Sequence, residues 1–438
     1  MKVLLVQANV LCRSDPILNP RVFPLGLSYV GTALKDHDVV ILDPSVLDEP
    51  LVGLREKVVQ MKPDVVGFSL RHTLPHPDRI IESWKQYVEE ARKAGDPALK
   101  IMAGGPAFSL YPERLMEYLP GIDYGIFCEG EETTPELLEN LENPGIIKGI
   151  YYRKDGQLFF TGAREKMDFG SFPAPRRDLI DIRPYLERPY IIGVQSKRGC
   201  ILKCVYCSYP RLDGCELRLR HPEHVADEIE RLIKIHGIKS FAFTDNVFNV
   251  PIHHAEEICR EMIKRKLPVR WTAWFHDKFV TRDFMELARD AGCDLVEFSS
   301  DGFSDQSLER LGKKMTNRDI VNAFNIVKDI KEFKVRYHFF FWPPGQRGGA
   351  FLNLLWFKLK VRLKLGKRLT GFGMGPAVVI DNTKLYEVAL EEGLIDKDTD
   401  LLFSVVFYWP SKWTALLFRV KSTFSSVTRK ILGKGPHD

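Results

Sequence analysis

The feature that most constrains this fold is a rhythm of short apolar segments alternating with amphipathic ones, which runs twice along the chain and breaks once. In residues 1–145, strand-like runs at Lys2–Gln7, Val39–Asp43, Asp64–Leu70, Lys100–Ala103 and Tyr124–Phe127 alternate with helix-like stretches around 26–36, 50–61, 78–94, 111–118 and 133–141. Strands that are apolar on both faces need cover on both, so the rhythm predicts an α/β fold with a doubly wound parallel sheet. Such a sheet binds ligands at the carboxyl ends of its strands. The loops at those ends are Ala8-Asn9, Ser69-Leu70-Arg71-His72, Gly104-Gly105-Pro106 and Glu129-Gly130-Glu131-Glu132.

Residues 146–189 interrupt the pattern with a hairpin, Ile147–Tyr152 and Leu158–Thr161 turning at Asp155-Gly156, and a Pro- and Arg-containing linker. Across 190–385 the alternation resumes, with strands expected at 190–196, 240–244, 269–275, 294–300, 335–341 and 373–380 and helices at 222–236, 252–266, 281–291 and 317–331. Six strands with their helices predict a partial (β/α)6 barrel, whose chemistry sits at the C-terminal strand ends. Residues 386–438 form a small basic, aromatic-rich C-terminal extension.

The first barrel strand runs directly into Arg198-Gly199-Cys200-Ile201-Leu202-Lys203-Cys204-Val205-Tyr206-Cys207. Three thiolates on one loop, spaced C-x3-C-x2-C, suit three irons of a cubic [4Fe–4S] cluster and leave the fourth iron open to a small molecule. Structural zinc is the rival reading, with Cys215 or His221 as a fourth ligand. The x3 spacing, the single triplet and the strand–loop context argue against it.

The other five of eight Cys are scattered, which fits a reducing cytosol. We see neither a signal peptide nor an uncharged apolar run long enough to span a bilayer, so a cytoplasmic protein is expected. Residues 351–438 carry 14 Lys/Arg against 8 Asp/Glu, more than the whole +5 of the chain. The main body is therefore nearly neutral, and no nucleic-acid partner is expected.

The Cys spacing, with Tyr206 before the last thiol, resembles the cluster motif of the radical S-adenosylmethionine (SAM) superfamily. The likeness continues through His221–Glu230, Phe241–Asn249 and Gly292–Gly302. It implies that Cys200, Cys204 and Cys207 hold the cluster, that Thr244, Asp245 and Asn246 meet the SAM amino group, and that Asp301 bonds the ribose. Here Ser299-Ser300-Asp301-Gly302 replaces the family's usual Gly-x-Glu-Ser. Tyr206 is placed near the adenine, or simply packs beside the cluster. Asp245 also reads as a plain strand-end cap.

Upstream, Pro24–Leu27, Gly104-Gly105-Pro106 and Cys128–Glu132 resemble the N-terminal, Rossmann-like domain of the cobalamin-dependent (B12) radical SAM enzymes. No D-x-H-x-x-G motif is present, so the resemblance implies cobalamin held without an axial His. Its binding residues would be Ser69, Arg71, Gly104, Gly105, Glu129, Gly130 and Glu131, with Arg71 or His72 toward the lower cobalt face. A scaffold that has lost cobalamin is the alternative.

The resemblance implies reductive cleavage of SAM to a 5′-deoxyadenosyl radical. Methylation of an unactivated carbon in a small-molecule or lipid-like substrate follows, with cyclisation, oxidation or rearrangement as alternatives. A non-catalytic iron–sulfur or zinc module is a further reading. A flavodoxin or ferredoxin is the expected electron donor. Tyr337 and His338, in the aromatic strand Tyr337–Trp342, are the candidates for facing the substrate.

Residues 351–368 hold six Lys/Arg and no acid, interleaved with Trp356, Phe357 and several Leu, and Trp409–Lys434 is a second such segment. Basic, aromatic-rich amphipathic helices suit a membrane surface. Apolar and basic residues alternate over 357–365, which also fits a strand. Basic residues on a solvated face are the plain alternative.

Overall fold

The computed structural model describes residues 1–8, 22–72, 74 and 76–418. Asn9 and the part of the second basic segment beyond 418 lie outside the described residues. The first half contains β1 (Lys2–Ala8), α1 (Leu25–Ala33), β2 (Asp38–Leu42), α2 (Pro50–Met61), β3 (Val65–Leu70), α3 (Pro77–Ala94), β4 (Lys100–Gly104), α4 (Pro106–Leu110), α5 (Pro112–Tyr118), β5 (Tyr124–Ile126), α6 (Thr133–Glu139), β6 (Ile150–Lys154) and β7 (Gln157–Phe160). Four of these helices open on a proline, which has no N–H to leave unpaired in the first turn.

The strands form one sheet in the order β2-β1-β3-β4-β5-β6-β7, parallel from β2 to β5. Alternate residues of β1 serve two cores: Val3 and Leu5 pack with Val39 and Leu137, and Leu4 and Val6 with Leu54, Val58 and Trp84. That is the double burial read from the unbroken apolar run. The hairpin turns at Asp155-Gly156 as expected, but β6 pairs antiparallel with β5, so it extends this sheet rather than standing between domains.

The second half contains β8 (Gly193–Val194), β9 (Lys197–Arg198), α7 (Tyr209–Leu212), β10 (Arg218–Leu219), α8 (Pro222–His236), β11 (Ser240–Phe243), α9 (Ile252–Lys264), β12 (Arg270–Phe275), α10 (Arg282–Asp290), β13 (Cys293–Asp301), α11 (Asp305–Arg310), α12 (Asn317–Val327), β14 (Lys334–Phe340), α13 (Gly348–Leu365), β15 (Leu369–Gly375) and α14 (Lys384–Glu391). Six parallel strands, ordered β15-β14-β13-β12-β11-β8, make the open partial barrel.

The first and last barrel strands and one domain bound are corrected, and 357–365 takes the helical one of its two readings. The first strand is Gly193–Val194, not 190–196, and β9 pairs with β10 in a separate two-stranded sheet. The last strand is Leu369–Gly375, not 373–380. Pro376 has no N–H for the ladder, so pairing ends before it. The alternating stretch 357–365 is helical throughout, its Leu354, Phe357, Val361 and Leu365 packed on the barrel at helical spacing. The boundary set at residue 385 falls inside α14, because Ala377, Val379, Leu385, Ala389, Ile395, Leu401 and Tyr408 share one small core. That core packs on Val205 and Tyr206 of the Cys loop, where the Leu385 N–H donates to the Val205 carbonyl at 2.8 Å.

Candidate functional site

The Cys loop leaves β9 through Gly199, which has φ +86°. A Cβ there would lie 1.8 Å from the Glu216 carbonyl oxygen, so only glycine fits. The loop is then pinned by Cys200 N–H to Gly214 O (3.1 Å), Val205 N–H to Leu311 O (3.0 Å) and Cys207 N–H to Cys204 O (3.1 Å). Cys200, Cys204 and Cys207 are free thiols and partly buried. Burial pushes all three up, Cys207 to about 12, while the nearby Lys313 ammonium pulls the other way.

Among the described residues no three His, Cys, Asp or Glu side chains converge on one metal ion. A mononuclear zinc site needs such convergence. A cluster does not, because each thiolate takes its own iron. Three free thiols on one loop suit a cluster in this way.

Lys313 is the residue that sequence reasoning missed. Its fully sequestered Nζ donates to Asp301 Oδ2 (2.6 Å) and the Ser299 carbonyl (2.6 Å). Tyr206 OH also donates to Asp301 Oδ2, and the Tyr206 ring meets Phe340 edge-on at 4.8 Å. Tyr206 and Asp301, singled out separately, are thus brought together. Asp301 has φ 64°, at a bulge where β13 slips register on β14. Beneath it the buried Asp277 accepts from Ser300 Oγ at 3.1 Å, and burial raises its carboxyl to about 7.

Asp245 sits elsewhere. Its oxygens accept from Ser196 N–H (2.7 Å) and Oγ and from Lys197 N–H (3.2 Å), with Lys197 Nζ at 3.3 Å. The carboxylate is engaged in holding β9. Its neighbours Thr244 and Asn246 line a cavity of about 430 Å³. Gly193, Gln195 and Arg198 line it from the barrel side. Ser69, Arg71, Gly104, Gly105, Glu129, Gly130 and Glu131 line it from the first sheet.

The cavity sits at the carboxyl ends of β3, β4 and β5, beside the switch point between β1 and β3. A Cβ on Gly105 (φ +96°) would lie 2.8 Å from the Leu70 carbonyl oxygen, so the loops after β3 and β4 approach as bare backbone. His72 Nδ1 is buried without a hydrogen-bond partner among the described residues. Burial lowers this imidazole's pKa and keeps it neutral. A bare-backbone cradle at the edge of this cavity fits a bulky bound group.

Glu129 and Glu131, besides lining the cavity, tie it to the Cys loop. Arg198, two residues before Cys200, donates to Glu129 Oε1 (3.2 Å) and Glu131 Oε1 (2.5 Å), and its guanidinium lies 4.2 Å from the Phe169 ring centre. Arg218 adds a bond to Glu129 Oε2 at 2.8 Å. These cations hold the Glu129 carboxyl below the usual range against the burial that raises it.

Tyr337 and His338 were expected together, but consecutive strand residues point to opposite faces. Tyr337 is fully buried on the helix side, stacked on Phe298 at 5.1 Å and edge-on to Phe357 of α13. Packing, not the substrate, occupies it. His338 faces the inner side, against Trp274 at 5.1 Å. Opposite lie Gly371 and Gly373, whose missing side chains would meet Arg336 and His338, and Gly375, which faces open space.

Comparison with known proteins agrees with this geometry. Residues 18–138 match the B12 binding domain and residues 194–341 the radical SAM superfamily. An uncharacterized methyltransferase of Pyrococcus horikoshii, PH0819, is 26% identical over 76% of this chain and 72% of its own. The anaerobic magnesium-protoporphyrin IX monomethyl ester cyclase of Rubrivivax gelatinosus is 26% identical over 70% of this chain, which spans 56% of that enzyme. In fold, the chain resembles the radical SAM methyltransferase TsrM of Kitasatospora setae, solved with cobalamin and a [4Fe–4S] cluster. The TM-score is 0.76 at 22% identity, covering 90% of this chain and 78% of that one. The chain thus carries a B12 binding domain ahead of a radical SAM domain, a pairing whose cofactors are a [4Fe–4S] cluster, SAM and cobalamin.

Proposed function

We propose that this enzyme methylates an unactivated carbon of a small-molecule or lipid-like substrate, between a cluster held by Cys200, Cys204 and Cys207 and a cobalamin held in the 430 Å³ cavity. The supporting observation is adjacency. Arg198 leads into the Cys loop and simultaneously binds Glu129 and Glu131 of the loop lining that cavity. When bound, these groups supply the reductive cleavage of SAM and the carriage of its methyl group.

The chain's own residues take the remaining roles. The three thiolates hold three irons, and the Lys313 cation offsets part of their negative charge. Thr244 and Asn246 offer polar atoms to SAM from the cavity wall, and Asp301, oriented by Tyr206 and Lys313, offers a carboxylate on the other side. Gly104 and Gly105 admit the flat face of a corrin, with Ser69, Arg71 and Gly130 at its rim. Glu129 and Glu131 act through Arg198 and are positioning residues. His338, Trp274 and the inward glycines of β15 shape the substrate space and exclude water from it. We extend the proposal to a flavodoxin or ferredoxin electron donor and to a cytoplasmic, peripheral position at a membrane surface.

Cyclisation is the second reading, favoured by the similarity to the Rubrivivax cyclase. Incubation of the reconstituted, cobalamin-loaded protein with SAM and a strong reductant tests both. Methyl transfer yields S-adenosylhomocysteine in a cobalamin-dependent way. 5′-Deoxyadenosine without S-adenosylhomocysteine supports the second reading, and neither product overturns both.

A further inference from the structure

Helix α13 is amphipathic twice over. Leu354, Phe357, Val361 and Leu365 are buried on the barrel. Leu352, Leu355, Trp356, Leu359 and Leu363 are exposed, Trp356 at 70% and Leu363 at 74%. At about 100° per residue, this second set falls within about 100° of arc, diametrically opposite the first. Lys358 and Arg362 flank the exposed stripe on one side, and Lys360 and Lys364 on the other.

A helix that only covers a barrel needs one apolar stripe. The second spends exposed Leu and Trp on solvent, where an ordinary soluble surface carries charge.

The surface continues past the helix. Phe351, in the first turn of α13, meets Phe341 at 5.1 Å, and Phe341 meets Phe418 at 5.1 Å. Residues 412–418 are helical, and Trp413, Leu416 and Leu417, at helical spacing, are exposed. Residues 351–368 contain no Asp or Glu. Arg368 is turned inward to the carbonyls of Lys328 and Ile330, which leaves Arg362, Lys364 and Lys367 exposed, with Lys358 and Lys360 along the two edges over the Phe372 and Phe324 rings.

We infer that the outward face of α13, with Trp413 and Leu416–Leu417, is a docking surface for an anionic phospholipid bilayer, on which the helix lies in the plane of the interface. Charge decides the partner. An apolar stripe with cations along both edges and no acid matches acyl chains below a row of negative headgroups. Two copies of this face would bring like charges together. No helix among the described residues is long and apolar enough to cross a membrane, so the contact is peripheral. It deepens the membrane part of the proposed function and is independent of the radical chemistry.

The test is sedimentation of the full-length, anaerobically purified protein with phosphatidylglycerol/phosphatidylcholine vesicles and with pure phosphatidylcholine vesicles, at low and high salt. Binding is expected to the anionic vesicles and to weaken with salt. Trp356→Ser/Leu359→Ser/Leu363→Ser should lower it more than about tenfold. Lys358→Gln/Lys360→Gln/Arg362→Gln/Lys364→Gln should lower it roughly fivefold per cation. The three side chains of the Ser variant are exposed, so its SAM cleavage in vesicle-free solution should be unchanged, which separates failure here from failure of the radical reading. Absence of wild-type binding, or equal binding by the Ser variant, overturns the inference. So does a dimer in solution that the Ser variant converts to monomer without any vesicle binding.

Discussion

The cluster loop and the cavity loops are built on opposite principles. Around Cys200–Cys207 the chemistry lies in side chains: three thiols, a buried Lys313 and the Asp301 carboxylate shared with Tyr206. Around Gly104 and Gly105 it lies in their absence, with backbone approaching backbone and a cavity left beside it. A metal cluster needs a few strong donors at fixed points. A large flat cofactor needs area, and few of its contacts depend on any one side chain. The contrast implies that single substitutions should be decisive on the first side and graded on the second, with Arg198 as the link whose loss damages both.

The largest effect should come from the thiols. Ala at Cys200, Cys204 or Cys207 should abolish iron binding and SAM cleavage while cobalamin binding survives, read by iron analysis and visible absorption. Next is the link itself. Arg198→Met leaves Glu131 buried without its cation and Glu129 with Arg218 alone, at a cost of about 3–5 kcal/mol in denaturant titration, most of it at Glu131. Adding Glu131→Gln should recover much of that loss, since Glu129 keeps Arg218. No recovery would sever the two regions.

Beneath the cluster side, Asp277 has its carboxyl raised from 3.8 to about 7 by burial. A raised carboxyl favours the folded state at low pH and loses that contribution as pH climbs through the folded value. Asp277→Asn should therefore gain stability relative to wild type as pH rises from about 4 to about 7, by about 4 kcal/mol over that window. On the cavity side, Gly105→Ala forces a left-handed φ on a Cβ that meets Leu70 O. We expect about 1–2 kcal/mol of strain and weakened cobalamin binding with iron content unchanged. The smallest effect belongs to Tyr337→Phe. Its buried hydroxyl finds no partner among the described residues, so its loss should change stability by under about 1 kcal/mol and leave SAM cleavage intact.

The same contrast explains what could be read from sequence. The thiols are adjacent in the chain, and the strand after them, β11, is set by a local apolar run, so both were legible, whereas the strand before them is cut to Gly193–Val194. Helices α2 and α8 have the spans expected, because Pro50 and Pro222 mark their starts. Lys313 was not legible: it lies far along the chain from the Cys loop, in a turn with no motif, and only barrel closure brings it to Asp301. Glu129 and Glu131 were read as cofactor ligands because their loop was visible, while their Arg198 partner depends on how the two sheets meet. Tyr337 was misread because composition drew attention to an aromatic strand whose period assigns its neighbours to opposite faces.

If one chain holds two cofactors at separable sites, iron and cobalamin content of the anaerobically purified protein should part company in Cys200→Ala/Cys204→Ala/Cys207→Ala. About four irons and about one cobalamin are expected per wild-type chain, and cobalamin without iron in the variant. Iron retained in the variant, or wild-type protein that takes up no cobalamin, would contradict two separable sites.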